Sequence, residues 1–428
     1  MGAHLSEVEV AVIGAGAAGI GAARTLRERG VSFVLLEASH RVGGRGYTEL
    51  VGQGQPFDLG CHWLHSASLN PFTRIADQLG FEYDRSGFSR RLHFGDRWAN
   101  EAEQQDYSDF FDRNFAAAHR AAAEGRDVAV AEVTERESRW TPMLDYVVSL
   151  MYSVDSDQVS VHDVHNYNDT DENWRVKQGY GALIARFAAD LPVELNCAVK
   201  RIDWSGRSIT NETVKGGIAA RKAIVAVSSG ILGGGDIRFE PALPAWKQEA
   251  IAALALGNHN RICLVFDGNV FGDDYPESAT VMAGESEPMG LRIRPFGYDY
   301  VVGVTGGRFA DWLERAGVEA SADLLKEQLA KVVGWPAANK AVRHVVTAWR
   351  GDPWIKGAYS AAQPGHGLAR GTLAEPLDDR LFFAGEATSI AFYATAHGAY
   401  LTGIAAAGRA VAALSGASSW PSRAGAPT

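Results

Sequence analysis

The stretch that decides the fold lies near the amino end, where residues 8–36 read VEVAVIGAGAAGIGAARTLRERGVSFVLL. Residues 8–13 and 31–36 are short apolar runs that are typical of buried strands, and residues 17–29 between them have helical spacing. Gly30 follows the helix as a stop signal. A strand, a helix and a second strand in this order predict one βαβ unit. A parallel sheet is therefore expected at the amino end.

The turn between the first strand and the helix has the pattern G-x-G-x-x-G. Gly14 allows a tight turn, Gly16 lets a diphosphate approach the backbone, and Gly19 lets the helix pack closely on the strand. The positive end of the helix then favours the diphosphate. Glu37 ends the second strand, where an acid can accept hydrogen bonds from both hydroxyls of a ribose. The segment predicts a dinucleotide site, and the acid disfavours a ribose 2′-phosphate.

Composition limits the remaining possibilities. The 428 residues are 46% apolar and 21% charged, which predicts a globular protein of two or three domains and excludes a fibrous or disordered chain. The net charge of −10 argues against a nucleic-acid partner. The three cysteines are too few and too scattered for a disulfide framework or a metal site. We see neither a signal peptide nor an apolar run long enough to span a membrane, and so expect a cytoplasmic protein.

The rest of the chain alternates between helical and α/β character. We predict helices at residues 110–124, 245–256, 320–333 and 397–414. We predict strands at residues 193–202, 222–227, 261–266, 300–304 and 381–384, with a long loop between 266 and 300.

These elements predict an α/β fold with two domains built from separate segments. A Rossmann-like nucleotide-binding domain is assigned to residues 5–76, 172–258 and 368–414. An inserted α+β substrate domain is assigned to residues 77–171 and 259–367. The Ser-, Pro-, Gly- and Ala-rich residues 415–428 are expected to be a flexible tail.

Five further blocks resemble the flavin-containing amine oxidase family, which includes monoamine oxidases, polyamine oxidases and lysine-specific histone demethylases. The first follows the βαβ unit directly: HRVGGR at 40–45, which on its own would suit either a diphosphate contact or a solvated surface turn. The others are FDLGCHWLH at 57–65, GNHNRICLVFD at 257–267, WRGDPWIKGAYS at 349–360, and FAGE at 383–386 with ATAHGAYLTG at 394–403. The resemblance extends from residue 8 to about residue 410.

The resemblance implies a fold of the glutathione-reductase and amine-oxidase type, and an FAD-dependent oxidation of a small amine. Hydride would pass from the carbon next to nitrogen to flavin N5, and the imine would be hydrolysed to an aldehyde plus an amine or ammonia. O2, giving H2O2, or another acceptor would reoxidise the flavin. No nucleic-acid, membrane or metal partner is implied, and we expect a monomer or a homodimer.

Site residues follow from the same resemblance. The implied cofactor-binding positions are Gly14, Gly16, Ala17, Gly19, Glu37, Ala38, Gly44, Arg45, Gly60, Cys61, His62, Trp63, Val199, Trp354, Gly385, Glu386, Thr395 and Ala396. The implied catalytic positions are His65, Arg261, Tyr359 and Thr395.

Two departures from the monoamine oxidase pattern carry expectations. Ala358 stands where those enzymes have a flavin-linking cysteine, so the FAD should be non-covalent. Thr395 stands at the second tyrosine of their aromatic cage, which leaves Tyr359 alone to orient the amine. In this respect the chain is more similar to the polyamine oxidases and histone demethylases, which admit longer substrates.

The third departure is Arg261, which matches a lysine of the family. Arginine keeps the positive charge but cannot exchange a proton at working pH. Arg261 is therefore either a charge-conserving replacement, a cause of altered reactivity with O2, or a group that binds a substrate carboxylate. The last alternative would make the protein an amino-acid oxidase. A C–C desaturase of the same superfamily and a flavin-binding protein without turnover are the other rival hypotheses.

Overall fold

The computed structural model describes residues 6–86, 91–283 and 287–417. Within these ranges the chain forms 19 strands: β1 (Ser6–Ile13), β2 (Phe33–Leu36), β3 (Thr48–Val51), β4 (Gln55–Asp58), β5 (Trp63–Leu64), β6 (Tyr83–Asp84), β7 (Leu92–His93), β8 (Trp174–Val176), β9 (Val193–Glu194), β10 (Val199–Asp203), β11 (Ile209–Thr213), β12 (Gly216–Val225), β13 (Arg238–Glu240), β14 (His259–Phe266), β15 (Ser278–Val281), β16 (Met289–Ile293), β17 (Tyr300–Gly306), β18 (Ala341–Val346) and β19 (Leu381–Phe383).

The same ranges contain 13 α-helices: α1 (Ala17–Glu28), α2 (Pro71–Leu79), α3 (Glu101–Ala123), α4 (Thr141–Tyr152), α5 (Val161–Asn166), α6 (Tyr180–Ala188), α7 (Ser229–Gly233), α8 (Ala245–Ala253), α9 (Gly307–Ala316), α10 (Val318–Val333), α11 (Trp335–Ala338), α12 (Ala369–Ala374) and α13 (Ala396–Leu414). Among the helices so described, none is both long enough and apolar enough to cross a bilayer.

The chain divides into two compact units. The first contains the described residues up to Gly46, Ile184–Ala255 and the described residues from Leu368 onward. The second contains the described residues of Tyr47–Leu183 and Leu256–Gly367. Each unit has its own large sheet. The mixture of helices and sheets confirms the predicted α/β class.

The first unit is built on an eight-stranded sheet, in the order β13-β10-β11-β12-β1-β2-β9, with β19 beside β12. β1 pairs in parallel with both β2 and β12. This arrangement contains the βαβ unit expected from residues 8–36. The three segments of the unit meet at β12. Its amino half pairs with β11 and its carboxyl end pairs with β19, while residues 218–225 pair with β1.

Helices α1 and α13 cross on this sheet at glycine positions. A Cβ at Gly403 would lie 1.9 Å from the carbonyl oxygen of Ala18. A Cβ at Gly21 would lie 2.5 Å from the carbonyl oxygen of Tyr400. Because neither helix has a side chain at these points, the two backbones approach closely.

The second unit is built on a six-stranded sheet, in the order β18-β14-β17-β16-β15-β7. One face of this sheet packs on α9 and α10 through a large apolar cluster that includes Ile262, Leu291 and Leu325. The other face packs on the β3–β4 hairpin through a smaller cluster that includes Phe57, Cys263 and Tyr300. β5, β8 and β6 form a separate three-stranded sheet.

Several boundaries differ from the sequence-based expectations. Residues 47–76, 172–183 and 256–258 lie in the second unit. The β3–β4 hairpin packs on the six-stranded sheet there, and β8 pairs with β5. The expected loop between 266 and 300 contains β15 and β16. The strand expected at 193–202 is two strands, separated where Asn196 takes a φ of +51°. Of the expected tail, residues 418–428 lie outside the described residues.

Candidate functional site

The turn between β1 and α1 is shaped by glycine. Gly14 has a φ of +100°, and its N–H donates to the carbonyl of Leu36 at 2.7 Å. A Cβ at Gly19 would lie 1.8 Å from the carbonyl oxygen of Gly14, so only glycine lets the helix begin this close to the turn. At Gly16, in contrast, a Cβ would meet no atom within 4 Å. The space beside Gly16 is open, as the approach of a diphosphate requires.

The first turn of α1 offers N–H groups to an anion. Gly16 is its N-cap and provides no side-chain hydrogen bond, and the first turn, which begins at Ala17, contains no acidic residue. Because the first N–H groups of a helix lack partners within the helix, they and the helix dipole favour a bound negative charge.

Glu37 lies at the carboxyl end of β2, next to this turn. Its Oε2 accepts from the N–H of Ala15 at 2.7 Å and its Oε1 from the N–H of Ser39 at 2.8 Å. Burial raises the pKa of this carboxyl, against the effect of these hydrogen bonds. Two bonds leave part of the carboxylate's acceptor capacity unused, so it can still receive ribose hydroxyls beside Ala38.

The Gly43-Gly44 pair packs against the glycine turn. The N–H of Gly43 donates to the carbonyl of Ala15 at 2.9 Å, and Gly16 and Gly43 form a parallel bridge. Gly44 has a φ of +56°, and a Cβ there would lie 3.5 Å from the Cα of Gly16. The segment HRVGGR therefore packs on the glycine turn between β1 and α1. The sequence alone also allowed a solvated surface turn at this position.

Arg45 continues from this segment into a buried ion pair. Its Nη1 lies 2.9 Å from Oε1 of Glu386, whose side chain is 5% exposed. Oε2 of Glu386 accepts from the N–H of Ala394 at 3.0 Å. Gly385 precedes this acid with a φ of +144°. Arg45, Gly385 and Glu386 also line a pocket at the carboxyl ends of β12 and β19, which is where ligands bind in α/β sheets.

Thr395 is the N-cap of α13. Its hydroxyl accepts from the N–H of Gly398 at 3.0 Å and donates to the carbonyl of Phe392 at 2.7 Å. Ala396 is the first helical residue. The hydroxyl of Thr395 thus has a structural partner on each side. Val199, another expected cofactor contact of the first unit, is the buried first residue of β10.

In the second unit, Asp58 is the centre of a buried polar network. Its oxygens accept from the hydroxyl of Thr48, from the N–H groups of Tyr180 and Gly181 at 3.0 and 3.1 Å, and lie 3.2 Å from Nδ1 of His62. Burial acts to raise the pKa of Asp58, but the hydrogen bonds hold it below its usual value. The network fixes the segment that contains Gly60, Cys61 and His62.

Arg261 lies in β14 and is only 7% exposed. Its guanidinium carbon is 5.4 Å from the centroid of the Phe57 ring. Among the described residues its side chain makes no hydrogen bond and no ion pair, and its Nε is buried without a partner. A buried guanidinium in this condition can bind an anion strongly, because the cost of removing it from water has already been met.

Two histidines near Arg261 are held neutral. Burial, followed by the charge of Arg261, lowers the pKa of both His62 and His259 from 6.5 to about 4. The folded protein therefore resists protonation at these two positions, whereas the unfolded chain takes up protons once the pH falls below about 6.5. The stability that these histidines provide is complete above pH 6.5 and is lost as the pH falls towards 4.

This asymmetry predicts that the two histidines together lower the free energy of unfolding by about 4 kcal/mol between pH 7 and pH 5, at about 1.4 kcal/mol per proton per pH unit. Denaturant titrations at the two pH values measure it. His259→Gln should make the decrease smaller by about 2 kcal/mol, its share of that contribution. An unchanged decrease in His259→Gln would show that other groups cause it.

Tyr359 is positioned by its neighbours. Its hydroxyl donates to the carbonyl of Leu150, and its own carbonyl accepts from the hydroxyl of Ser153 at 2.7 Å. The rings of Tyr359 and His259 have centroids 5.8 Å apart. Ala358, directly before the tyrosine, is buried. Tyr359 is therefore held both at its ring hydroxyl and at its main chain.

The other expected positions of the second unit differ in their contacts and in their exposure to solvent. Nδ1 of His65 lies 2.5 Å from Oδ1 of Asn173, and burial lowers the pKa of His65. The rings of Trp63 and His62 meet edge to face at 5.5 Å. Trp354, at 40% exposure, is far more open than a residue packed in a core.

The expected residues thus fall into two groups, one in each unit. Sequence reasoning overlooked three charged residues of the second unit: Asp58, Arg175 and Arg292. Asp58 had a recognisable signal, because it stands at the end of an apolar strand inside the quoted block FDLGCHWLH. Arg292 alternates with the buried Leu291 and Ile293 in β16, which marks a second, polar face of that strand.

Comparisons with known proteins agree with this geometry. The family model "Flavin containing amine oxidoreductase" matches residues 17–116 and 101–411. "Probable polyamine oxidase 4" of Arabidopsis thaliana is 31% identical over an alignment that covers 93% of this chain and 86% of that protein. Human "Lysine-specific histone demethylase 2" is 27% identical, with 94% of this chain and 53% of that protein covered. A structure of putrescine oxidase bound to putrescine has a TM-score of 0.79 at 20% identity, covering 95% of this chain and 99% of that one.

The glycine turn, the acid after β2 and the parallel sheet define a Rossmann-like α/β fold. The chain belongs to the family of flavin-containing amine oxidoreductases, since the family model covers well over half of it. Its activity is the flavin-dependent oxidation of an amine.

Proposed function

We propose that the flavin is FAD, held without a covalent bond, and that the enzyme oxidises a small amine. The observation that carries the cofactor proposal is the open backbone at Gly16, beside which Glu37 keeps acceptor capacity for a ribose. A dinucleotide presents a diphosphate and a ribose at this spacing. Flavin mononucleotide lacks the adenosine ribose that Glu37 would bind.

We assign the diphosphate to Gly16, Ala17, Gly44 and Arg45, and the ribityl chain to Glu386. Val199 would meet the adenine through its main chain. Thr395 and Ala396 would meet the pyrimidine side of the flavin with the positive end of α13. Because the hydroxyl of Thr395 already accepts one hydrogen bond and donates another, we expect it to act through its main chain.

The proposal of non-covalent binding is supported by Ala358, a buried methyl side chain where monoamine oxidases have their linking cysteine. A methyl group offers no nucleophile. When bound, FAD supplies at N5 a two-electron acceptor for the hydride that leaves the carbon next to nitrogen.

The chain's own residues would select and orient the amine. The ring of Tyr359, anchored through its hydroxyl, would hold the nitrogen and favour its neutral form by excluding water. His65, kept neutral by burial, would offer a polar contact without a repelling charge. O2 or another acceptor would take the electrons onward. Within the described residues the three cysteines form no disulfide, which supports the cytoplasm as the compartment.

Anaerobic flavin reduction tests this function. The relatives are named for polyamines and putrescine, so spermidine and putrescine are the first substrates, followed by benzylamine, amino acids and a polyene. We expect at least one amine or amino acid to bleach the flavin, and acid precipitation to leave FAD in the supernatant.

Each other outcome rejects a definite part of the proposal. Protein that stays colourless after reconstitution with FAD would reject the cofactor. Flavin in the acid pellet would reject non-covalent binding. Bleaching by the polyene alone would indicate a desaturase, and bleaching by no compound would indicate a flavin-binding protein without turnover.

A further inference from the structure

Arg261 has no carboxylate available to it within the described part of the second unit. The acid that acts on its charge most strongly is Asp58. All four acceptor directions of Asp58 are occupied by Thr48, Tyr180, Gly181 and His62. The guanidinium is therefore left without a counter-ion that it can hydrogen-bond among the described residues.

Arg292 lies on the same face of the six-stranded sheet as Arg261. In the β14–β17–β16 register, Arg261 is opposite Val304 and Arg292 is opposite Val302. Residues opposite each other, and residues two apart, share a face. This is the face that carries Phe57, away from α9 and α10.

Arg175 lies beside Arg292 across an aromatic ring. It is 6% exposed and lies opposite Trp63 in the β5–β8 pair. The guanidinium carbons of Arg175 and Arg292 are 5.6 and 5.8 Å from the centroid of the Trp63 ring. We call Arg175, Arg261 and Arg292 the arginine cluster.

Among the described residues, three acids act on the charges of the arginine cluster: Asp58, Asp84 and Glu277. Arg175 pairs with Asp84. Burial, followed by the charge of Arg175, lowers the pKa of Arg292 to about 10, and the charges of Glu277 and Asp84 oppose this only in part. Three guanidinium groups in a poorly solvated region repel one another, and a bound anion would relieve that repulsion.

We propose that the arginine cluster binds a carboxylate of the substrate, so that the amine oxidised is an amino acid and not a di- or polyamine. This inference rests on the proposed function. Paired guanidinium groups match the two oxygens of a carboxylate, and Trp63 and Phe57 supply apolar walls beside them. A polycation such as spermidine would instead meet three like charges.

The first test compares amino acids with the amines obtained by removing their carboxylate: leucine with isopentylamine, lysine with cadaverine, and ornithine with putrescine. Anaerobic flavin reduction is followed at equal concentrations. We expect the amino acid of at least one pair to reduce the flavin at least about 10-fold faster. If the amines reduce it and the amino acids do not, the carboxylate site is wrong although the proposed function stands.

The second test measures binding, which does not depend on turnover. The holoenzyme is titrated with benzoate, and with benzylamine and inorganic phosphate for comparison. We expect benzoate to bind more tightly than either. Arg292→Gln should weaken benzoate at least about 10-fold, equivalent to about 1.4 kcal/mol. Arg315→Gln, which removes an exposed charge from α9 of the same unit, should leave it unchanged.

These measurements separate the two proposals. If no compound reduces the flavin, the proposed function fails, and benzoate binding still decides whether the arginine cluster is an anion site. Equal benzoate affinity in both variants, tighter binding of phosphate, or tighter binding of benzylamine would overturn the inference. Melting temperature and flavin content of Arg292→Gln show whether a loss of binding comes from misfolding.

Discussion

Gly403→Ala is expected to lower the free energy of unfolding by about 3 kcal/mol, the upper part of the range for overpacked interiors. The added methyl group would lie 1.9 Å from the carbonyl oxygen of Ala18, a backbone atom that cannot rotate away. Helices α1 and α13 would have to separate, and the sheet beneath them would lose part of its cover. For a unit of this size the melting temperature should fall by roughly 6–12 °C.

The matched control is Gly408→Ala, on the same helix. A Cβ at Gly408 meets no atom within 4 Å. Alanine is the better helix former by about 1 kcal/mol, so this variant should be as stable as the parent or slightly more stable. Thermal unfolding of the two variants compares them directly. Equal melting temperatures would show that the α1–α13 crossing is not as close as described.

Gly16→Ala should fold normally and lose its flavin. The residue is extended, with φ −73° and ψ −176°, and a Cβ there touches nothing, so the apoprotein has no reason to be destabilised. The same methyl group would occupy the space through which we propose that the diphosphate approaches. We expect the dissociation constant of FAD to rise at least about 100-fold, equivalent to about 2.7 kcal/mol.

Flavin absorbance of the purified variant and titration of its apoprotein with FAD measure this effect. The apoproteins of Gly16→Ala and the parent should melt at the same temperature, and Gly408→Ala should retain full flavin. A Gly16→Ala variant that keeps its flavin would place the diphosphate elsewhere. A variant that binds no flavin because it is unfolded would be recognised by its melting curve.

The parts of the fold that could be predicted from the sequence are those set by local geometry. The order strand, glycine turn, helix, strand follows from the spacing of apolar residues. Gly14 is required because its φ is positive, and Gly19 because a side chain there would collide with the carbonyl of Gly14, five residues earlier. Glu37 could be placed because it directly follows β2. None of these inferences needed knowledge of distant contacts.

What could not be predicted depends on which distant strands are neighbours. The hairpin at 47–58 pairs only with itself among the described strands, so nothing in its own residues says which large sheet it will cover. Arg292 appears as one charged residue in an alternating strand, and its nearness to Arg261 depends on β17 lying between their strands. The role of Asp58 as a hydrogen-bond acceptor could not be predicted, because two of its donors, the N–H groups of Tyr180 and Gly181, lie far along the chain.

The central position of β12 has a consequence for biosynthesis. β1 leaves the ribosome long before its partner β12, and β12 in turn waits for β19, while α1 stays uncovered until α13 is made. The first unit therefore cannot be completed during translation until β19 and α13 have emerged. Unpaired parallel strands expose apolar edges in the meantime, which makes nascent chains prone to aggregate. A messenger truncated before the codon for Leu381 should accordingly yield inclusion bodies and not a smaller soluble enzyme.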